Sequence, residues 1–588
     1  MAKWFVTTKK ADFNRISEKY HISPVLARII RNREIVEDGD INKYLHGTLK
    51  DLHSPKLLKD MDKAVSIIKG KMQEQKKIRI IGDYDVDGIC STFILKRGFF
   101  ACGAKVDTVI PHRMKDGYGI NEQLIKEAYE DGIDTIITCD NGIAAYEQLK
   151  YAKDLGITCI VTDHHEVPYE IIGGEEKRYI LPPAEAIIDP KQKECSYPYK
   201  NICGAVVAWK FVTRLWEDFD ISAEDRREIL EFAGIATVCD VMELLDENRI
   251  IVKEALNSMS HSANMGLRNL MKVHDLNPAN LSAYHLGFVL GPCFNATGRL
   301  DTAQRTLELL ECKDERKSIF IASELKRLNE SRKEMTEKGV EDAILKIEEE
   351  KLQKDNVMVI FLPQCHESLA GIIAGRIREK YYKPVFVLTR AEDCVKGSGR
   401  SIESYSMYEE MNQCKELFLK FGGHKLAAGL SLEEKNVEKF RIALNENCKL
   451  TPEDMEEKIL IDVPMPMSYV TMDFLKELEL LEPFGVGNQK PVFAQKNVSF
   501  LSMRVMGKNK NMAKFSVEDE NGNRFSLVLF RHLDEFLEDI KKKYGQEIWE
   551  SFMNQNRGCR VNMNIIYYPS LNEYMGKQEI QYVIQNWC

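Results

Sequence analysis

No stretch of the 588-residue chain approaches the roughly 20 apolar residues of a membrane-spanning helix, and Met1-Ala2-Lys3-Trp4-Phe5 lacks the apolar core of a secretory signal. These absences predict a soluble, cytoplasmic protein. Cysteine pairing is missing too. The 15 cysteines are scattered without a CxxC spacing, and Cys90, Cys139, Cys159 and Cys239 fall inside apolar runs, which suits buried reduced thiols. There is no excess of positive charge. With 82 basic and 91 acidic residues the net charge is −9, which excludes a protein that coats nucleic acid indiscriminately but leaves room for a local basic groove. Two basic clusters are present: Arg504, Lys508, Lys510 and Lys514, in a stretch without acids, and Arg376, Arg378, Lys380 and Lys383. Either one alone reads equally well as a solvated face.

What the chain does have is acid at the ends of strands. Asp83-Tyr84-Asp85-Val86-Asp87-Gly88 follows Ile78-Arg79-Ile80-Ile81, Asp140-Asn141-Gly142 follows Thr135 to Cys139, and Asp163-His164-His165 follows Thr158 to Thr162. Helix-like segments separate these β-branched runs, so the pattern predicts βαβ units and a parallel sheet. Ligands of such sheets bind beyond the carboxyl ends of the strands. Three acidic strand ends in one cleft repel unless cations neutralise them. Oxygen and imidazole donors suit Mn²⁺, Mg²⁺ or Zn²⁺, and the lack of thiolates in the clusters favours the harder ions. Taken singly, Asp-Gly, Asn-Gly and His-His pairs are ordinary loop residues; their occurrence together at successive strand ends points to chemistry.

The length predicts several domains. Residues 1–64 read as a polar, helix-biased lead-in and residues 65–300 as an α/β domain with at least five strands. Residues 301–350 contain a long charged helix, 351–452 a second α/β pattern, and 453–588 short alternating strands that suit a small β-barrel.

The ordered set Asp-x-Asp-x-Asp-Gly, Asp-Asn-Gly, Asp-His-His and Gly234-Ile235-Ala236-Thr237-Val238-Cys239-Asp240 resembles the catalytic motifs of the DHH phosphoesterase superfamily. Pro111-His112-Arg113, Asp116-Gly117-Tyr118-Gly119, Asn295-Ala296-Thr297-Gly298-Arg299, Gly397-Ser398-Gly399-Arg400-Ser401, Phe421-Gly422-Gly423-His424 and Leu481-Glu482-Pro483-Phe484-Gly485-x-Gly487-Asn488 narrow the resemblance to the RecJ family, from about residue 65 to about 535. The resemblance implies a parallel-sheet DHH domain, a long helix, a DHHA1 domain and a C-terminal OB-like barrel. It implies two divalent ions, Mn²⁺ or Mg²⁺. Asp87, Asp140, His164 and Asp240 would hold one, and Asp85 with the shared Asp140 the other. Asp83 would support the first loop, and His165 would face the scissile phosphate.

Arg113, Ser398 and Arg400 would bind the 5′ end, Arg299 a phosphate near the scissile bond, and the Gly422-Gly423-His424 turn a further phosphate. The Pro-Phe-Gly turn at 483–485 would be structural. The implied activity is 5′-to-3′ hydrolysis of single-stranded DNA in recombination and repair. A monomer working with a single-strand-binding protein and a RecQ-type helicase is implied as well. Two alternatives remain: a phosphoesterase of short oligoribonucleotides, nucleoside bisphosphates or cyclic dinucleotides, and a non-catalytic nucleic-acid-binding scaffold. Two positions depart from the pattern. Ile81 stands where pyrophosphatase-like members carry a histidine ligand, which predicts a weaker ion on Asp85, and Asn511-Met512-Ala513-Lys514 replaces a His-Leu-Lys pattern. The last 50 or so residues match no pattern.

Overall fold

A computed structural model of the chain describes residues 3–113, 115–172, 176–507, 510–554, 559–574 and 576–588. It divides into two compact units, residues 6–326 with 460–588, and residues 327–459 with 1–5. No helix among the described residues is long and apolar enough to cross a membrane. All 15 cysteines are free thiols.

The larger unit is built on a five-stranded parallel sheet of β1 Lys77–Ile81, β2 Lys105–Val109, β3 Thr135–Cys139, β4 Thr158–Thr162 and β5 Ala186–Ile188, in the order β2-β1-β3-β4-β5. Alternation sends Ile78, Ile80, Ile137 and Ile160 to one core and Ile81, Ile136, Cys159 and Val161 to another. Both faces are covered, which is why the strands read as unbroken apolar runs. On the first face lie α1 Val86–Ala101, α2 Gly204–Leu215 and α3 Ala223–Cys239. Nearly every residue from Val86 to Leu95 in α1 is buried, so the strand-end acids that start this helix are anchored in the core. The chain leaves β1 for β2 at one edge and returns to β3 on β1's other side. The loops after β1 and β3 therefore diverge and open a crevice where their acids sit.

Further helices continue the unit, among them α4 Asp246–Met259 and α5 Gly291–Leu300. The predicted charged helix is α6 Glu315–Glu349, 35 residues long.

The second unit holds a mixed five-stranded sheet of β6 Met358–Phe361, β7 Val385–Arg390, β8 Val395–Arg400, β9 Phe418–Gly423 and β10 Ala427–Leu432, ordered β9-β10-β8-β7-β6. Helix α7 Ala370–Tyr381 lies before β7 in the chain. One expectation needs correction here. Gly422 and Gly423 are not in a turn; they end β9, paired with Gly429 and Ala428 of β10, and the reversal falls on the residues after them. Cross-strand pairing overrides the local turn preference of a glycine pair.

The C-terminal strands β11 Phe493–Met506, β12 Met512–Glu518, β13 Arg524–Leu529, β14 Val561–Tyr574 and β15 Lys577–Trp587 close into a five-stranded barrel, because β11 pairs with both β12 and β14 while β13 pairs with β15. The final residues that matched no pattern thus supply the two strands that complete the barrel. The N-terminal helices Phe13–Tyr20, Pro24–Asn32 and Asp38–His46 share its core, with Leu26, Ile29 and Ile30 packed among Val463, Phe474 and Phe493.

Arg249 of α4 is fully buried and joins these parts. Its guanidinium donates to the carbonyls of Tyr44 at 2.9 Å, Leu481 at 2.9 Å and Leu480 at 2.7 Å, and lies over the Tyr44 ring. Asn488 ties the turn at 481–488 by donating to Leu481 and Pro483 carbonyls at 2.7 and 2.9 Å, while Val486 accepts from the Leu244 N–H at 2.8 Å. That turn steadies the loop that follows Asp240.

Candidate metal centre

Local caps and sequence-distant backbone together hold the strand-end acids. Asp85 caps α1 by accepting from the Gly88 N–H at 3.0 Å. Asp87, in the first turn, accepts from the Gly204 and Ala205 N–H groups at 2.6 and 2.7 Å, where the N-terminus of α2 favours negative charge. Asp140 has a left-handed backbone with φ of 60°, unusual for a residue with a side chain. Tyr118 Oη donates to its carbonyl at 2.9 Å. Asn141 donates to the carbonyls of Ile81 and Cys139 at 3.1 and 2.9 Å, fastening the ends of β1 and β3 together. Asp163 accepts from the Ile143 N–H at 2.9 Å and from His165 Nδ1 at 2.7 Å. Asp240 caps the C-terminus of α3.

These supports bring the predicted ligands together. His164 Nε2 lies 3.1 Å from Asp140 Oδ1, 3.5 Å from Asp87 Oδ2 and 3.7 Å from Asp240 Oδ2. A second group joins Asp83, Asp85 and Asp140, with donor atoms within 4.8 Å of one another. Asp140 belongs to both. Asp83, expected as a loop support, is thus also placed among the donors. Burial, and then the charge of Asp85, pushes Asp83 up to about 8; burial, and then Asp87, pushes Asp240 up to about 9. Burial and neighbouring carboxylates also raise Asp85 and Asp140. Asp83 Oδ1 and Asp240 Oδ2 are buried without a hydrogen-bond partner. Crowded, partly unpartnered oxygen donors with one imidazole fit a pair of hard divalent ions. The thiols nearby do not compete: Cys139 is pushed up to about 12 by burial and stays protonated.

His165 borders the first group, its Nδ1 4.0 Å from Asp140 Oδ1 and within reach of the His164 donor atom, but its nearest partner is Asp163. Burial lowers its basicity, but the hydrogen bond and charge of Asp163 outweigh that and lift it to about 9. Nδ1 is engaged with Asp163, while Nε2 lies 3.5 Å from Tyr118 Oη.

Arg113 and Arg299 flank the first loop. The Arg113 guanidinium lies 4.9 Å from the Tyr84 ring centre, and the charges of both arginines act on the Tyr84 hydroxyl. A Cβ on Gly298 would overlap the Tyr84 carbonyl, so α5 abuts that loop. Ser398 and Arg400 lie in the other unit, on β8, where Arg400 Nη1 donates to Ser398 Oγ at 3.2 Å. A Cβ on Gly371 of α7 would come within 2.8 Å of Ser398 Oγ and 2.9 Å of Arg400 Nη2. Ser398 pairs with Gly429, which pairs with Gly422; both glycines face open space, leaving a bare strip of backbone beside the serine. His424 follows at the hairpin turn, its N–H donating to the Ala427 carbonyl at 2.8 Å.

In the barrel, Arg504 and Lys514 are direct cross-strand partners on a groove of about 360 Å³ that also includes Phe515, Phe525, Ser516 and Ser526. Lys508 lies outside the described residues. Of the second basic cluster, Lys383 is spent on structure, donating to the Gln353 and Asp355 carbonyls at 2.8 and 2.7 Å. Sequence reasoning missed the parts played by Asp163, Tyr118, Asn141 and Gly204. The first three lie inside quoted motifs, so a signal existed; Gly204 had none.

The sheet order and the donor groups define the DHH class of fold. The chain matches the family models "DHH family, N-terminal domain" over 77–237, "DHHA1 domain" over 354–450 and "RecJ OB domain" over 461–586. It is 34% identical over 512 residues to the single-stranded-DNA-specific exonuclease RecJ of Bacillus subtilis, covering 86% of this chain and 63% of that protein, so it spans under two thirds of that relative's length. With the Escherichia coli protein of the same name it is 30% identical over 587 residues, 96% of each chain.

A crystal structure of RecJ from Thermus thermophilus in complex with Mn²⁺ superposes with a TM-score of 0.81 at 24% identity, covering 100% of this chain and 79% of that one. A structure of exonuclease RecJ bound to manganese aligns at 30% identity and a TM-score of 0.58, over 68% of this chain and 97% of that one. The chain belongs to the RecJ family.

Proposed function

We propose that the protein is a metal-dependent exonuclease that hydrolyses phosphodiester bonds of single-stranded DNA from the 5′ end. The observation that carries this reading is Asp140, which lies 3.1 Å from His164 in the first group and joins Asp83 and Asp85 in the second. His164, Asp87, Asp140 and Asp240 would hold one divalent ion, Mn²⁺ or Mg²⁺, and Asp85 with Asp140 and Asp83 the other. When bound, such a pair supplies the positive charge that activates water and braces the phosphoryl oxygens in the transition state.

The chain's own groups do the rest. Asp163 fixes the His165 ring through Nδ1, leaving Nε2 to give its proton to the departing 3′ oxygen. Water oxygen bonds to phosphorus, the bond to the 3′ oxygen breaks, and a nucleotide leaves while the strand keeps a new 5′ phosphate. Arg113 and Arg299 hold backbone phosphates beside the first loop. In the other unit Ser398, Arg400, the Gly422–Gly423 strip and His424 take a phosphate by close backbone approach and a guanidinium fork.

The barrel groove, with Arg504, Lys514 and the half-buried Phe525 at its surface, suits a trailing single strand. A small-substrate phosphoesterase would have no use for that groove, and a binding scaffold no use for the full donor set. A single-strand-binding protein and a RecQ-type helicase as partners, a monomeric state and a cytoplasmic location complete the proposal. Digestion of 5′-labelled and 3′-labelled single strands with Mn²⁺, Mg²⁺ or chelator, alongside Asp140→Ala, tests it. Mononucleotides should appear first from the 5′ label, only with metal, and not from the variant; activity confined to dinucleotides would refute it.

A further inference from the structure

The metal chemistry makes no use of an aromatic pair at 284 and 288. Tyr284 and Phe288 stack with ring centres 5.1 Å apart and planes 23° from parallel, yet 58% of Tyr284 and 66% of Phe288 remain exposed. Phe288 sits in a π-helical turn, Leu286–Leu290, a local widening that recurs at functional sites.

The segment is locked to the end of α3 that delivers Asp240. Cys239 Sγ donates to the Leu286 carbonyl at 3.5 Å. A Cβ on Gly287 would meet Val238 Cγ1 at 3.3 Å, and one on Gly291 would overlap Cys239 Sγ. Val241, directly after Asp240, is itself 65% exposed. From Gly291 the chain continues as α5 to Arg299, beside the first acidic loop. The exposed rings, a metal donor and a phosphate-binding arginine thus share one packed block.

A single exposed aromatic needs no explanation. Two parallel rings with an exposed valine beside a phosphodiester-cleaving centre fit one occupant well: an unstacked nucleobase. A ring face accepts any base without reading its edges, as suits an enzyme that removes every nucleotide in turn. We propose that Tyr284 and Phe288 form a base-stacking platform that holds a nucleobase of the single strand next to the metal centre. The assignment rests on the exonuclease reading above.

The test uses the full chain as wild type, Y284A/F288A and Y284W/F288W. Each is titrated in chelator with 5′-phosphorylated single strands carrying 2-aminopurine at successive positions. Wild type should quench the probe at one position. The alanine variant should lose that quench and bind roughly 5- to 150-fold more weakly for each stacked base lost, and the tryptophan variant should keep both properties. A strand abasic at that position should bind wild type as weakly as the intact strand binds the alanine variant. Equal binding and quenching by the alanine variant, or equal binding of abasic and intact strands by wild type, overturns the platform. If wild type with Mn²⁺ releases no nucleotide from single strands, the exonuclease reading fails instead.

Discussion

Gly204→Ala tests whether the shared carboxylate is held by space as well as by hydrogen bonds. Gly204 opens α2, and its backbone has no positive φ, so room alone dictates the residue. An added methyl would lie 2.9 Å from Asp140 Cβ and 3.0 Å from Asp140 Oδ1. Carbon atoms rest about 3.5–4.0 Å apart, so Asp140 or the start of α2 must give way by roughly 0.6–1.1 Å. Asp140 is a donor in both groups and Asp87 accepts from the Gly204 N–H, so either movement spoils both ion positions. Misplacement of about 1 Å at a reacting centre costs on the order of 100-fold in rate. Overpacking a core costs about 1–3 kcal/mol, which leaves a domain of this size folded. Nucleotide release from labelled single strands with Mn²⁺ should fall by about that 100-fold, while strand binding in chelator and the circular dichroism spectrum stay close to wild type. Turnover within a factor of two of wild type would refute the reasoning.

Three further outcomes follow from the packing and charge. Arg249→Met should destabilise the larger unit by roughly 1–3 kcal/mol, since the buried Tyr44 carbonyl loses its donor while the Leu480 carbonyl can turn to water and the Leu481 carbonyl keeps Asn488; calorimetry that finds an unchanged transition counts against it. Glu231 is raised by burial, against the hydrogen bonds from Ser258 and Ser262, so its charged form opposes folding at neutral pH. Glu231→Gln should therefore be more stable than wild type at pH 7. That advantage should shrink as pH falls through the raised folded value and vanish below the ordinary carboxylate range, where both folded and unfolded wild type are protonated. Urea midpoints at pH 7 and pH 4 measure the gap. Arg504→Ala should weaken single-strand binding and reduce the slope of log affinity against log salt by about 0.7, the share of one phosphate contact; an unchanged slope removes Arg504 from the strand path.

Much of the site could be read in the sequence because the information is local. A β-branched run announces a strand, and the acids directly after it are placed by the strand itself. The long charged helix was equally plain from its spacing. What stayed hidden depends on pairings distant in the chain. Residues 1–64 read as a polar lead-in because the core that Leu26, Ile29 and Ile30 join is completed by residues from Val463 onward. In β14, Val561, Met563, Ile565 and Tyr567 turn inward and alternate with Asn562 and Asn564. That period of two was present all along, but only its pairing with β11 makes it a barrel wall. Gly422 and Gly423 misled for the same reason, since turn propensity is local and the partner strand is not.

Asp240 illustrates the limit most sharply. The donors of the first group differ in origin: Asp87, Asp140 and His164 hang from neighbouring strand ends, whereas Asp240 comes from the end of a helix on one face of the sheet. No strand pattern could place it. Its position follows from α3 packing on α1 and from the turn at 481–488, which pins the loop beyond it through the Leu244 N–H. A segment encoded far later in the chain thereby steadies a donor of the first group. Loosening that turn should disturb the metal site before it disturbs the sheet, since the strand-borne donors are held independently by Asn141, Gly204 and Asp163.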